Sequence, residues 1–427
     1  MSKKNENKLL PKFRFPEFNN DGEWEVKKLD EIAEIKRGAA SQHLKYVDKN
    51  HPNAIRLLRI NDFLNDDAVY VEDTPDMKRF RVKTTDILIA GTGATAGITF
   101  IVESKFNDLA YSYNAPRIRV KNINSQFVYH YLKSDSIIQQ QKRFFVGNAQ
   151  PFLDTTAIGN LKIFISSSNE QQKIAACLST LDEVITAESH KLEVLKDHKK
   201  GLLQNLLPQA GETVPKFRFK EFEDSGEWVE KRVEDYFDVG SSKRVLQQDW
   251  ASQGVPFYRT RELVSLSKHE PFGSEIFISE ELYNDLKVNY GIPTIGDFLV
   301  SGVGTLGICY QVKQNDRFYF KDGNVIWFKL KGDLNSTYFK YCFESEHIQN
   351  QIVGQTSKST VGTYTIQNAK KTKFWFAPAT KEQEKIADTL SSIDELIIAQ
   401  GQKLEAMQQH KKGLLQGLFP NLNEVTA

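Results

Sequence analysis

The clearest periodicity in the chain lies in two stretches, residues 170–208 and 382–420. In the first, apolar side chains fall at Ile174, Leu178, Leu181, Ile185, Leu192, Leu195, Leu202 and Leu206. From Leu181 onward the steps alternate four and three once the polar Glu188 and Lys199 are admitted to the row. The second stretch repeats the pattern with Ile386, Leu390, Ile393, Ile397, Leu404, Met407, Leu414 and Leu418, and Gln400 and Lys411 take the polar places. Such alternation keeps one narrow stripe facing a partner helix, as in a coiled-coil seam. Capping-box patterns, Ser168-x-x-Gln171 and Thr380-x-x-Gln383, open the stretches, and Pro208 and Pro420 close them. Each stretch predicts a helix about 58 Å long. Two matched stripes in one chain predict that the helices pair with each other, antiparallel if the repeat is a pseudo-twofold. The competing arrangement packs each helix on its own domain alone.

The match extends from pattern to identity. At an offset of 212 positions, 23 of the 39 residue pairs are identical, including Lys199-Lys200-Gly201-Leu202-Leu203-Gln204 against Lys411-Lys412-Gly413-Leu414-Leu415-Gln416. A second echo has an offset of 204. Pro11-Lys12-Phe13-Arg14-Phe15-Pro16-Glu17-Phe18 returns as Pro215-Lys216-Phe217-Arg218-Phe219-Lys220-Glu221-Phe222, and Gly22-Glu23-Trp24 as Gly226-Glu227-Trp228. Between the echoes, residues 23–165 and 227–377 share only a sparse skeleton. It includes Asp86-Ile87-Leu88 with Gly93 and Gly97, against Asp297-Phe298-Leu299 with Gly304 and Gly307. A period near 200 residues far exceeds the roughly 20–50 of a solenoid, so the chain reads as a duplicated domain-plus-helix unit. Surface positions of the helices repeat as well (His198/His410, Lys199/Lys411, Glu193/Glu405), which predicts a partner protein touching both copies.

Both variable blocks read as mixed α/β. Strands are predicted at 86–90, 97–102, 117–120, 297–300, 307–311 and 324–328, and helices at 125–144 and 335–352. Glycine- and polar-rich runs, 146–156 and 353–365, lead back towards the long helices.

Composition narrows the classes. The 427 residues suit two or three domains, and 40% hydrophobic with 26% charged residues is the balance of a soluble protein. Against 56 Lys+Arg stand 55 Asp+Glu, a net of +1, which excludes a polycation that coats nucleic acid or membrane by bulk charge. Cys177, Cys309 and Cys342 are too few and too scattered for a disulfide framework or zinc knuckle, and Cys177 and Cys342 fall in helical patterns as core positions. The polar first eight residues lack a signal's apolar stretch, and no run reaches the roughly 18 apolar residues of a membrane span. A cytoplasmic protein without membrane contact is expected.

Counting by segment sharpens the charge. Residues 22–165 hold 20 basic and 17 acidic residues (+3), and 226–377 hold 18 of each. Positive charge pools late in each block: 7 basic against 2 acidic residues in 115–165, and 4 against none in 350–377. Arginines come in close pairs interleaved with aromatics, a setting suited to phosphates and guanine edges. The candidate DNA contacts are Arg37, Arg56, Arg59, Arg79, Arg81, Arg117, Arg119, Lys142 and Arg143 in the first block. In the second they are Lys243, Arg244, Arg259, Arg261, Lys358, Lys370 and Lys371.

Enzyme signatures are weak. Gly302-x-Gly304-x-x-Gly307 matches a dinucleotide fingerprint by letters, but Gly91-x-Gly93-x-x-x-Gly97 is one residue longer and neither opens a convincing helix. Strand-to-strand turns are expected instead. No Gly-x-x-x-x-Gly-Lys-Ser/Thr occurs, so ATP binding has no support. Asp76 with Glu103 and Lys105 resembles the acid–acid–lysine set of a metal-dependent nuclease, yet the second block has Gln311-Val312-Lys313 at the matching place. The eight histidines show no metal-ligand spacing. A nuclease centred on Asp76, and a coiled-coil scaffold that binds only proteins, remain the alternatives to a DNA reader.

The order of blocks, the paired Pro-Lys-Phe-Arg-Phe motifs and the two Glu-Gln-x-Lys-Ile-Ala helices (from Glu170 and Glu382) closing on Lys-Lys-Gly-Leu-Leu-Gln resemble specificity subunits of type I restriction–modification systems. The likeness spans nearly the whole chain. One departure is Ser166-Ser167-Ser168, where many members, like the second copy here with Pro378, carry proline. The resemblance implies an α+β fold: two mixed α/β target-recognition domains in a pseudo-twofold repeat, separated by two long antiparallel coiled-coil helices. Residues 1–165 would be the first recognition domain, 166–210 the first spacer helix, 211–377 the second recognition domain, and 378–427 the second spacer helix with its tail. Each domain would read one half of a split double-stranded DNA sequence, and the helices would dock two methyltransferase subunits. Those partners would bring S-adenosylmethionine, and an ATP-driven restriction subunit would translocate and cut DNA with Mg²⁺. No cofactor, metal or catalytic residue would belong to this chain.

Overall fold

Both periodic stretches are helical, Ser168–Leu206 and Thr380–Leu418, of 39 residues each. The computed structural model describes residues 10–63, 68–145, 151–268, 276–356 and 362–421. Along the first helix the seam positions from Leu181 to Leu202 are half-buried while their flanks are exposed, and Ile174, Leu178 and Leu206 are fully buried at the ends. The expected capping boxes are not what forms. Ser167, one residue earlier, caps the first helix, its hydroxyl accepting from the Glu170 N–H at 3.4 Å. The second begins on the Ala379 carbonyl, which accepts from the N–H groups of Glu382 and Gln383. Gln171 and Gln383 are used elsewhere. Their Nε2 groups donate to the Ser166 and Ala377 carbonyls (2.7 and 2.9 Å), and their Oε1 atoms accept from the Asn124 and Asn335 N–H groups (3.2 and 3.0 Å). Each glutamine thus straps its helix to the next helix's N-cap.

The chain forms two units. One holds the described residues up to Ser189 with those from Lys403 onward, and the other runs from His190 to Gln402. In the first unit a four-stranded antiparallel sheet takes the order Ala33–Lys36, Arg117–Val120, Ile87–Ile89, Thr99–Ile101. A second sheet orders Tyr46–Val47, Val69–Glu72, Ala54–Leu58, Ala110–Tyr111, the last pair parallel. Glu25–Lys28 pairs with Lys162–Ile165.

The second unit has the same frame. Phe237–Gly240, Val325–Leu330, Phe298–Ser301 and Cys309–Gln311 form the larger sheet; Phe277–Ile278, Val255–Tyr258 and Tyr319–Phe320 the smaller; and Val229–Arg232 pairs with Lys373–Phe376. Two helices, Thr260–Ser267 and Glu280–Tyr290, are additions of this unit. The larger sheets share one strand order under divergent sequence, while the smaller sheet has three strands here against four in the first unit, as a duplicated scaffold with variable surfaces allows.

Each core is closed by a long helix's start and the other's end. Trp24, Ile118, Phe127 and Tyr131 pack with Ile174, Leu178, Leu418 and Phe419 in the first unit. Phe419 stands edge-on at 4.7 Å from Tyr131 and 5.6 Å from Phe127. Trp228, Phe298, Tyr338 and Phe339 pack with Leu206, Leu207, Ile386 and Leu390 in the second. Those aromatic and aliphatic side chains are what tie the helices to the domains.

Two expectations are refined. The helix predicted at 125–144 is two helices, Ser125–Tyr131 and Asp135–Phe145, and that at 335–352 is Ser336–Glu344 followed by Glu346–Thr356. Both break at a serine, Ser134 or Ser345, whose N–H turns back to Tyr131 or Cys342. The stretches 91–97 and 302–307 are strand-to-strand turns, as expected, joining antiparallel neighbours in each larger sheet, whereas residues 146–150 and 357–361 of the glycine- and polar-rich runs lie outside the described residues. Gly97 and Gly307 sit at φ +91° and +69°, and a Cβ there would come within 2.3 and 3.0 Å of Gln141 and Gln349. Among the described residues, no helix is long and apolar enough to cross a membrane.

Candidate nucleic-acid interface

The strands Ala54–Leu58 and Val255–Tyr258 each end one residue before an arginine. The Arg59 N–H donates to Asp62 Oδ2 at 2.9 Å, and the Arg259 N–H to Glu262 Oε2 at 2.9 Å. Both carboxylates are 2% exposed, and both gather guanidinium groups. Arg56 Nη2 lies 2.9 Å and Arg59 Nε 3.5 Å from Asp62; Arg259 Nη2 lies 2.6 Å and Arg261 Nη2 3.2 Å from Glu262. Burial alone would raise the Glu262 pKa, but the side-chain and backbone donors of Arg259 hold it below the usual carboxylate value, so it stays ionised. A buried anion that grips one edge of an arginine fixes its plane and leaves the other donors outward. Arg261 remains 62% exposed.

The remaining candidates divide by environment. Arg37 follows the strand Ala33–Lys36 and stacks on Tyr113 at 4.3 Å and Phe152 at 5.2 Å. Arg79 is exposed over Phe80, with Nη2 3.5 Å from the His43 ring. Arg81 is held by Asp73 (2.6 Å) and the Asp108 carbonyl (2.7 Å), and Arg119 forks onto Asp86 at 2.8 and 2.7 Å. Lys142 and Arg143 are exposed on Asp135–Phe145. Lys243 lies over Tyr290, and Arg244 reaches Asp322 at 2.8 Å while 71% exposed. Lys370 is half-buried and Lys371 exposed in the last turn of Ile366–Lys371. Lys358 lies outside the described residues.

Arg117 is a correction. Its side chain is 4% exposed, pairs with Glu34 and donates to the Arg81 carbonyl, so it is a buried strut with no surface to offer a phosphate. Alternation of charged and apolar residues does not show that both faces of a strand are covered, as they are here, with Ile118 and Arg117 both buried. What the sequence did not reveal are the carboxylates Asp62 and Glu262 and the stacking rings Tyr113 and Phe152. The Arg-x-x-Asp and Arg-x-x-Glu spacings were the available signal for the carboxylates; for the rings there was none.

The nuclease-like trio does not assemble a metal site. Lys105 pairs with Glu103 at 3.0 Å, both largely exposed, and Asp76 lies in the short turn Pro75–Phe80. Among the described residues no group of three or more His, Cys, Asp or Glu is placed to hold a metal ion. Burial pushes the Cys342 thiol up to about 12, the behaviour of a packed core cysteine rather than a nucleophile.

The polar seam residues of the long helices are paired. In the first unit Lys411 meets Asp182 and Lys403 meets Glu188, a descending order against an ascending one, which defines antiparallel helices. In the second, Lys199 lies 2.7 Å from both Glu344 and Asp394, and Lys340 lies 2.9 Å from Asp394. Burial would lower the Lys199 pKa, but these two carboxylates raise it.

Comparison with known proteins identifies the family and the fold. The family model described as "Type I restriction modification DNA specificity domain" matches residues 21–197 and 225–409. The chain is 23% identical over 350 residues to the type I restriction enzyme MjaVIII specificity subunit of Methanocaldococcus jannaschii, covering 79% of each. It is 25% identical over 418 residues to the putative MjaX specificity subunit of the same organism, covering 92% of each. The solved S subunit of a type I restriction–modification system from M. genitalium superposes with a TM-score of 0.63 at 15% identity, covering 97% of this chain and all of that one. A chain from a structural study of complex assembly and conformational transition in a type I system superposes at 0.53, also at 15% identity, covering 92% and 96%.

Proposed function

The chain belongs to the type I restriction–modification DNA specificity family, and from that premise we propose that its two domains read the halves of a bipartite double-stranded DNA sequence. It is a recognition component without catalysis of its own. One observation carries the assignment of both domains: the same arginine–carboxylate device stands at Arg59/Asp62 and Arg259/Glu262 on corresponding strands, while the side chains around it differ. A duplicated frame with divergent surroundings is what two readers of different half-sites need.

On this reading residues 1–165 and 211–377 are the recognition domains, and 166–210 and 378–427 supply the spacer helices. Two methyltransferase subunits dock on repeated helix positions, His198 and His410 among them, both exposed. S-adenosylmethionine, ATP and Mg²⁺ belong to those partners and to an ATP-dependent restriction subunit. The complex works in the cytoplasm. The modest charge of each block, +3 and 0, means that partner subunits share the phosphate grip.

The test measures DNA binding by the isolated chain and by the chain assembled with its methyltransferase partners, at physiological salt. Weak, sequence-indifferent binding alone and specific binding in the complex are expected. Tight specific binding by the isolated chain would contradict shared grip. Mg²⁺-dependent cleavage by the purified chain that D76A abolishes would overturn the recognition role.

A further inference from the structure

We propose that Arg37 is the guanine-reading residue of the first half-site, presented by an aromatic clamp that the second domain lacks. The inference rests on the DNA-reading function above and goes beyond it by naming the base and the side chain.

The guanidinium lies between two rings, 4.3 Å from the Tyr113 centroid and 5.2 Å from that of Phe152. Both rings are unusually open for large aromatics, 43% and 42% exposed. Exposed aromatics that hold a cation do not close a core; they orient the cation for something outside. Arg37 Nη1 is itself buried and has no hydrogen-bond partner among the described residues. With Nη1 sealed, the edge of the guanidinium formed by Nε and Nη2 is the one that can meet a base from outside. Most other arginines of this domain are already engaged: Arg56 and Arg59 with Asp62, Arg81 with Asp73, Arg117 with Glu34, and Arg119 with Asp86. One ring of the clamp, Tyr113, also lines a neighbouring cleft of about 520 Å³ together with Arg59, Asn61 and Asn114, polar groups able to meet adjacent base edges.

The clamp is particular to one domain although the frame is common. Strand pairing places Arg37 opposite Ser241 of the second copy, because Ala33–Lys36 and Phe237–Gly240 occupy the same sheet position. Tyr113 and Asp322 each stand two residues beyond the strand that runs parallel to Ala54–Leu58 or Val255–Tyr258. Phe152 and Thr363 each form the isolated bridge to the glycine turn, with Thr92 and Val303. All three members therefore change together, from Arg, Tyr and Phe to Ser, Asp and Thr. A structural cation–aromatic contact has no need to vanish wholesale from a retained frame, whereas a base-reading element does so when the half-site differs.

Guanine is the base that fits. Its O6 and N7 present two acceptors in one plane in the major groove, matching a planar fork whose orientation the rings already set. A lysine would keep the charge but not the fork.

The experiment uses the complete complex with wild-type chain, R37A and R37K. Methylated adenines are mapped across a host genome, and binding is measured on duplexes altered at each half-site position. The wild-type motif is expected to contain a guanine in one half-site at which R37A and R37K lose discrimination by roughly 10- to 100-fold, with the other half-site unchanged. R37K keeps the charge and a cation over the rings, so a matching loss in both variants is not a failure to fold. Four results overturn the proposal: a wild-type motif without guanine in that half-site, an unchanged motif in R37A, full discrimination in R37K, or uniformly weaker binding with a salt slope reduced by about one, which marks a phosphate contact. A wild-type complex with no bipartite motif would instead overturn the DNA-reading function itself.

Discussion

Arg14 forks onto Glu170, with Nε and Nη2 each 2.8 Å from a carboxylate oxygen, and Arg218 does the same to Glu382 at 2.7 and 2.8 Å. The side chains are 8% and 1% exposed in the first pair, 7% and 1% in the second. The remaining Nη1 of each arginine donates to a carbonyl, Asp21 or Gly226, at 2.7 Å. The two repeated motifs of the sequence are thus the two halves of one lock, which is why both persist while the residues between them diverge. Their differing offsets follow as well: the partners are 156 residues apart in the first copy and 164 in the second, so the intervening block grew by eight without disturbing the lock.

Breaking one lock leaves a buried carboxylate unpaired. R14A is expected to cost about 3–5 kcal/mol, and the double variant R14M/E170M much less, because no isolated charge remains. Urea unfolding of the wild type, R14A and the double variant checks this. Equal losses for single and double variants would show that packing rather than charge carries the effect.

If each domain reads one half-site, the carboxylates behind the arginines are expected to act separately in each domain. D62N should weaken recognition of one half-site about 10-fold by loosening Arg56 and Arg59, and E262Q should do so for the other through Arg259 and Arg261. Binding to duplexes with either half-site scrambled distinguishes them. Both variants affecting the same half-site would refute one domain per half-site.

His130 gives the first unit a pH dependence. It is buried against Asp182 (3.9 Å) and hydrogen-bonded to Ser179 at 3.0 Å, with Lys133 and Lys411 also facing it. Burial pushes its pKa down to about 4, the two lysines add to this, and Asp182 opposes them. The unfolded imidazole, with its ordinary pKa near 6.5, binds a proton that the folded one refuses between those values. Stability therefore falls as pH drops from about 6.5 to 4, by on the order of a few kcal/mol. In H130Q that slope should flatten, as read by urea midpoints across the window; an unchanged slope would assign it to other groups. The second unit has Tyr341 at this place, bonded to Asp394 and Ser391, and gains no such slope from it.

On the proposed reading the long helices set the gap between half-sites. Four residues inserted after Ala187 add about 6 Å of helix, near two base pairs of DNA. Methylation mapping should show a changed gap with both half-sites intact. Altered half-site identity would contradict the spacer role.

Much of this was legible in the sequence for a physical reason. The seam is a periodic demand on side chains, so the helices at Ser168–Leu206 and Thr380–Leu418 followed from the positions of Leu181, Ile185, Leu192 and their copies. Duplication then implied the pairing. The site was less legible. Arg117 and Arg37 look alike in the string, yet one is sealed against Glu34 and the other held open between two rings drawn from residues 76 and 115 positions away. The Ser168 and Thr380 capping boxes misled because Gln171 and Gln383 had partners outside their own helices, at Asn124 and Asn335. Long-range contacts decide such roles, and spacing does not record them.

The most direct test of the central claim maps methylated adenines in a host carrying the complete system, with and without this chain. The account predicts a single bipartite motif with a fixed gap that disappears when the chain is deleted. A methylation pattern unchanged by its deletion, or one uninterrupted motif, would contradict it.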